Sequence, residues 1–262
     1  MSKLRLIPKL QLKPASFNPN KLVLVITKQF NQCIEIGDPV SQAKIFQDQA
    51  SDELIFVNID SNRHNSVIEM SKVINKLSQE IFMPLTVGGG VAKIEDFRLL
   101  LSNGADKISI NTHALGAPEL ISNSADKFGA QCVVVGIDYK KDDEGNYFVY
   151  SDGGKVKTKY HPVEWAVKAV SLGAGEILLT SIERDGMRCG LDIELTRQVV
   201  DSVGVPVITS GGCGLASHFS DGFLLGAVSA VSAGSFFAHR DQNFMQTRSH
   251  ILNAGVNIRK QS

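Results

Sequence analysis

Cysteine is scarce. The four residues, Cys33, Cys132, Cys189 and Cys213, stand far apart and form no C-x-x-C pair. A disulfide framework or a thiolate zinc site needs clustered cysteines, so neither organises this chain, and a reducing compartment fits. An excess of either charge is also missing: Lys plus Arg and Asp plus Glu each number 27, and the pI is about 7.0. General nucleic-acid binding needs a basic field that releases counterions, so that class is set aside, while an anionic ligand at a local site is not. Long apolar runs are absent. None approaches the ~18 residues that a membrane helix needs. The opening segment MSKLRLIPKLQLKP is charged, is broken by Pro8 and lacks the apolar core of a signal peptide. No stretch is rich enough in Pro, Gly or Ser to link two domains. The expectation is a soluble cytoplasmic protein, with residues 1–262 in one domain.

What is present is an alternation. Short apolar, β-branched runs lie at about 4–10, 54–59, 84–88, 106–110, 132–138, 176–181, 206–209 and 228–233. Amphipathic stretches lie between them at 40–49, 67–80, 94–102, 118–128, 162–172, 193–203 and 215–225, with a last one at 243–253. Eight strands alternating with eight helices predict a parallel sheet with crossover helices, and the length suits a single (β/α)8 barrel of about 250 residues. Two longer connections follow strands 1 and 5. Lys13–Gly37 reads as a loop, and DYKKDDEGNYFVYSDGGKVK reads as a small hairpin.

The chain also repeats itself. Asp52–Asp60 resembles Gly175–Glu183, TVGGG (Thr86–Gly90) resembles Ile208–Gly212, and Leu10–Lys13 resembles Ile137–Lys140, at offsets of 122 to 127 residues. Two similar half-barrels, about 1–130 and 131–262, account for this.

Glycine turns at strand ends let backbone N–H groups approach an anion. Gly89 and Gly90 with Asn111 and Thr112 form one candidate phosphate cradle. Ser210, Gly211 and Gly212 with Gly234 and Ser235 form its repeat, and Asp185 and Gly186 in SIERDGMRCG are counted with the phosphate-binding residues. Two cradles on opposite sides of a barrel mouth suit an elongated bisphosphate. Asp138, closing strand 5, is the candidate acid–base residue, and Asp185 could also act so. The repeat partner of Asp138 is Gln11, which cannot transfer a proton in the same way. Arg5, Glu53, Lys107 and Glu176 fall at strand starts, two of each sign. They could form a neutral inward ring, serving either as a structural plug or as a gate. His113 reads as a solvent-facing loop residue beside the first cradle, and Cys213 as a small packing residue.

In the blocks GDPV, DELIFVNI, PLTVGGG, GADKISINT, VVVGID, GAGEILLTSIERDG, SGGCG and GVNIR, the chain resembles the HisF family, the cyclase subunit of imidazole glycerol phosphate synthase. That resemblance implies a (βα)8 barrel that receives ammonia from a HisH-type glutaminase on its N-terminal face and uses it at the C-terminal face. It implies a gate at Arg5, Glu53, Lys107 and Glu176, a glutaminase interface at Asp106 and a catalytic aspartate at Asp138. It implies no metal and no cofactor beyond glutamine-derived ammonia. Three positions depart from the family pattern. Gln11 stands for the first catalytic aspartate, Asn58 for an aspartate ending strand 2, and Ile26 for a loop lysine. RLIPKLQLK (Arg5–Lys13) is similar to strand 1 of the WbuZ-type branch found in surface-polysaccharide gene clusters, which also lacks the acid. The expected function is therefore an ammonia-conducting HisF-like amidotransferase subunit serving sugar amidation, with a sugar-amidating enzyme as further partner. The alternative is a genuine cyclase, performing ring closure and lyase cleavage on the ribulosyl-aminoimidazole bisphosphate of histidine biosynthesis. A HisA-like isomerase fits the gate residues and the GVNIR tail less well, and a non-enzymatic glutaminase-docking scaffold is the remaining reading.

Overall fold

The computed structural model describes residues 3–60, 66–238 and 243–259. Its strands are β1 (Arg5–Ala15), β2 (Asn18–Lys28), β3 (Gln32–Gly37), β4 (Leu54–Asn58), β5 (Leu85–Gly88) and β6 (Lys107–Ile110), followed by β7 (Val133–Lys141), β8 (Tyr147–Ser151), β9 (Val156–Lys157), β10 (Glu176–Ser181), β11 (Val207–Ser210) and β12 (Ala230–Ala233). Its helices are α1 (Pro39–Asp48), α2 (Ser66–Ser78), α3 (Ile94–Ser102), α4 (Thr112–Gly116) and α5 (Glu119–Phe128), followed by α6 (Pro162–Ser171), α7 (Ile193–Ser202), α8 (Ala216–Leu224), α9 (Ser235–Ala238) and α10 (Phe244–Asn253). Eight parallel strands pair in the closed order β1-β4-β5-β6-β7-β10-β11-β12, with β12 returning to β1. This is a (β/α)8 barrel. Each barrel strand is an apolar run because both its faces are covered. One face packs against the helices in the main core, and the other lines the barrel interior.

Helix starts follow the local sequence. In GDPV the Asp38 carboxylate accepts from the Ser41 N–H and Pro39 opens α1, while Asp192 and Asn243 cap α7 and α10. The chain's end is tied to its beginning. Leu4 bridges to Ile258, and buried Arg248 on α10 pairs with Asp52 at 3.0 Å.

The connection after strand 1 is not a loop. β1 continues past Leu10 to Ala15 and pairs antiparallel with β2, which pairs with β3. Its tight turn carries Gln29 and Phe30 at φ +52° and +60°. Such primed turns normally announce themselves with Asn-Gly or Asp-Gly. Here neither is present, so the segment reads as a loop, and docking holds the strained turn instead. The Gln29 N–H donates to the Asp185 carbonyl, and the Gln29 side-chain amide donates to the Glu183 carbonyl. The expected hairpin after strand 5 is present as β7–β8–β9. Each half-barrel thus opens with a strand that leaves the barrel as a β-ribbon.

Side chains alternate across a strand, so Arg5, Ile7, Lys9 and Gln11 share the inward face of β1. Three levels result. Arg5, Glu53, Lys107 and Glu176 lie at the bottom. Ile7, Ile55, Val134, Leu178, Ile208 and Ala230 form an apolar layer above them. Lys9, Gln11, Ser109, Asn111, Asp138 and Thr180 then line a cavity at the mouth.

Candidate active site

The cavity has a volume of about 240 Å³ and lies among the C-terminal ends of β1, β4, β5, β6, β7 and β10. This is the face on which (β/α)8 barrels build their sites. Its rim on one side is the first glycine turn. Gly89 sits at φ +102°, and a Cβ there would stand 2.2 Å from the Asn58 carbonyl oxygen. Only glycine lets the β5 turn lie this close to β4. The repeat holds at this level of detail. Gly211, at φ +94°, would place a Cβ 2.5 Å from the Ser181 carbonyl oxygen. In both halves a short helix follows on the next strand, α4 starting at Thr112 and α9 at Ser235.

The floor carries the titratable groups. Asp138 pairs in register with Thr180 across β7 and β10. Its carboxylate accepts from the Asn111 amide at 2.7 Å and from the Thr180 hydroxyl. Burial pushes this carboxyl up to about 6, against the pull of the Lys9 charge, with Asp185 adding to the rise. Lys9 is 6% exposed, and its ammonium lies 3.5 Å from the Thr180 hydroxyl. On the other side, the Thr27 hydroxyl from the ribbon lies 3.0 Å from the Gln11 side-chain oxygen and also hydrogen-bonds Asp185. One hydroxyl proton cannot serve two acceptors, so either Gln11 presents its amide nitrogen or Asp185 is protonated. Burial raises the Asp185 carboxyl above the ordinary carboxylate range, opposed by Lys9, Thr27 and the Phe30 N–H. Asp185 therefore anchors the ribbon tip over the mouth, where Phe30 and Thr27 line the cavity.

At the opposite end, both cations touch both anions. Arg5 pairs with Glu53 at 2.7 Å and with Glu176, and Lys107 pairs with Glu53 at 3.1 Å and Glu176 at 2.8 Å. The Thr86 hydroxyl donates to Glu53 at 2.7 Å. The ring is neutral and closed. An aliphatic layer of Ile7, Ile55, Val134, Leu178, Ile208 and Ala230 lies between it and the cavity. Burying four charges is tolerable because each is paired twice.

The matching family model, described as histidine biosynthesis protein, covers residues 13–243. A Prochlorococcus marinus protein, provisionally named imidazole glycerol phosphate synthase subunit hisF2, is 48% identical over 99% of both chains. Proteins of Geobacillus thermodenitrificans and Bacillus licheniformis named imidazole glycerol phosphate synthase subunit HisF are 44% and 42% identical, over 88% of this chain and 92% of theirs. The chain belongs to the HisF family. It is an imidazole glycerol phosphate synthase-like enzyme subunit.

Within this HisF-type barrel the candidate residues divide. Gln11, Gly89, Gly90, Asn111, Thr112 and Asp138 meet at the cavity, and exposed His113 lies at its rim. Ser210, Gly211, Gly212, Gly234 and Ser235 do not line it. The loop after β10 folds over that side. The Gly190 N–H donates to the Gly212 carbonyl, and Arg184 donates to the Gly190 carbonyl. Gly186 packs under the ribbon, where a Cβ would stand 2.4 Å from the Thr27 carbonyl oxygen. Ile26 lies within β2, paired with Ile34, and its neighbour Thr27 enters the cavity instead. Asn58 is 2% exposed and accepts from the Asp60 N–H, leaving its amide nitrogen unpartnered among the described residues. Asp106 is exposed at the start of β6, accepting from the Leu85 N–H. Cys213 is buried and all four thiols are free. No helix among the described residues is long and apolar enough to cross a membrane. The sequence reading missed Lys9, Thr27, Phe30 and Thr180. For Lys9 the signal was available, since a charge two places from Gln11 in an apolar strand shares its inward face.

Proposed function

We propose that this chain is the synthase subunit of a glutamine amidotransferase, taking ammonia from a HisH-type glutaminase and adding it to a phosphorylated acceptor at the barrel mouth. The observation that carries the reading is the vertical order of the barrel interior: a closed neutral ring, an aliphatic layer, then a polar cavity beside a glycine cradle. A neutral molecule the size of ammonia can cross an aliphatic layer that excludes ions. On this reading Arg5, Glu53, Lys107 and Glu176 gate the passage, exposed Asp106 belongs to the glutaminase face, and the two cradles hold the acceptor's phosphates. The chemistry needs no cofactor besides ammonia.

The relatives' names favour the cyclase reaction of histidine biosynthesis, on the ribulosyl-aminoimidazole bisphosphate. Gln11 favours the second reading, in which ammonia serves sugar amidation through a further enzyme, as in WbuZ-type proteins. One experiment separates them. The purified chain is given ammonium salt and the bisphosphate, and product is followed with and without a HisH-type glutaminase and glutamine. Turnover supports the cyclase. Absence of turnover by a folded chain that still stimulates the glutaminase supports the other acceptor. Absence of both removes the amidotransferase reading.

A further inference from the structure

Asp138 has no carboxylate partner on strand 1, because Gln11 occupies the repeat-equivalent place. The structure supplies a different partner. We propose that Lys9 is the acid–base mate of Asp138, joined to it through the Thr180 hydroxyl, so that the floor works with an ammonium and a carboxylate rather than with two carboxylates. This inference rests on the reading of the mouth as the place where ammonia meets its acceptor.

Four observations carry it. Lys9 lies on the same inward face of β1 as Gln11, directly above the aliphatic layer. Its ammonium, with three protons to donate, has Thr180 at 3.5 Å as its one hydrogen-bond partner among the described residues. Thr180 in turn donates to Asp138, so proton exchange from lysine to carboxyl has a hydroxyl in between. The cavity beside Lys9 is lined in part by small or hydroxylated residues, Ser109, Gly136 and Thr180, so the lysine stem has room to rise into it. Catalytic hydrogen bonds are often long without ligand and tighten in the complex.

The proton balance closes. When ammonia adds to a carbonyl carbon of a phosphorylated keto-sugar acceptor, an N–C bond forms and the carbonyl π pair moves to oxygen. Lys9 gives that oxygen a proton, and the Asp138 carboxylate takes one from the new ammonium nitrogen. Thr180 then passes the proton from Asp138 to the neutral Lys9, restoring both groups. A carboxylate and an ammonium are already in complementary states at neutral pH, whereas two carboxylates must share a proton.

The test has two arms on the full chain. The first follows the Lys9 side-chain nitrogen by NMR across pH. Coupled groups show an inflection at each other's midpoint. The Lys9 signal should therefore inflect near pH 6, at the Asp138 midpoint, and Asp138→Asn should abolish that step. A Lys9 signal blind to Asp138 overturns the proposal. The second arm is ammonia-dependent turnover of the ribulosyl-aminoimidazole bisphosphate. Lys9→Met should lower kcat about 100-fold or more with KM near native, and Lys9→Arg, which keeps the charge but holds its proton, should also fall at least about 10-fold. An Arg variant as fast as the native chain overturns the proposal, because charge alone would then suffice. If the native chain does not turn over this bisphosphate, the cyclase reading of the acceptor fails, and the NMR arm still decides Lys9.

Discussion

Replacing Asp138 by Asn should stabilise the fold while disabling the site, and the gain should depend on pH. The native carboxyl sits at about 6 against an ordinary 3.8, chiefly because it is buried. The folded state therefore holds this proton more tightly than the unfolded chain does. Below the ordinary value both states carry the proton and nothing is lost. As pH rises towards 6, the unfolded chain releases its proton while the native state keeps it, so stability falls; above 6 the deficit is complete. The displacement from 3.8 to about 6 corresponds to about 3 kcal/mol at full ionisation, of which roughly half is already in place at pH 5. This is an upper bound, since one side of the carboxyl opens to the cavity. Asparagine keeps the shape and can still accept from Asn111 and Thr180, yet it never ionises. Thermal melting of both proteins at pH 5 and pH 8 measures the effect. A chain of this size gains roughly 2–4 °C per kcal/mol, so the variant should melt up to about 6–12 °C higher at pH 8 and by about half that at pH 5. Acid-sensitive groups other than Asp185, whose charge adds to the Asp138 rise, are common to both proteins and cancel. An equal difference at both pH values, or a loss at both, refutes burial as the dominant influence on Asp138.

Three further expectations follow from the same geometry. Lys107→Met leaves Glu53 and Glu176, both buried, sharing Arg5 alone, and should cost about 3–5 kcal/mol in urea unfolding; a loss under 1 kcal/mol would mean that the ring is already hydrated. Gly89→Ala must push a Cβ into the Asn58 carbonyl, whereas Gly145→Ala, at φ +86° with no atom within 4 Å, costs only the conformational term of about 1 kcal/mol. The first should abolish the broadening of inorganic phosphate in 31P NMR and the second should leave it intact. Thr27→Val keeps the β-branch but removes the hydroxyl that ties Asp185 to Gln11, and should cost about 1–3 kcal/mol. It should raise the Asp185 carboxyl further and speed proteolysis at Lys28–Asn31; unchanged cleavage would show that the Gln29 contacts alone hold the ribbon.

The barrel was legible because its signals are local. Apolar β-branched runs such as Val133–Val135 and cap residues such as Asp38 speak for themselves within a few positions. The repeat predicted matching glycine turns, and the matching approach of Gly89 to Asn58 and of Gly211 to Ser181 is its atomic form. The β2–β3 ribbon was not legible, because Gln29 and Phe30 adopt positive φ without glycine and are held by the loop after β10. Arg248 pairing with Asp52 joins opposite ends of the chain, which no local pattern encodes. Lys9 was legible in principle. Once Arg5 is placed inward, alternation puts Ile7, Lys9 and Gln11 on the same face, but a lysine in a strand invites the reading that it faces solvent.

The two halves of the site differ in what their residues must satisfy. The glycine turns repeat in both halves because backbone spacing sets them: a glycine that lets one strand end lie against another has no substitute. The floor obeys no such rule. Gln11, Lys9, Asn111, Asp138 and Thr180 project into the cavity, so their identities can change without touching the core that holds the barrel. A barrel can therefore keep its four-charge ring, aliphatic layer and glycine turns while the residues of its floor change. With Gln11 and Asn58 uncharged, the Lys9 ammonium faces two carboxyls at the floor, Asp138 and Asp185. If the floor selects the acceptor, exchanging Gln11 for Asp should change which phosphorylated ligand binds while the glycine turns stay as they are, and equal binding of every ligand by both proteins would refute that division.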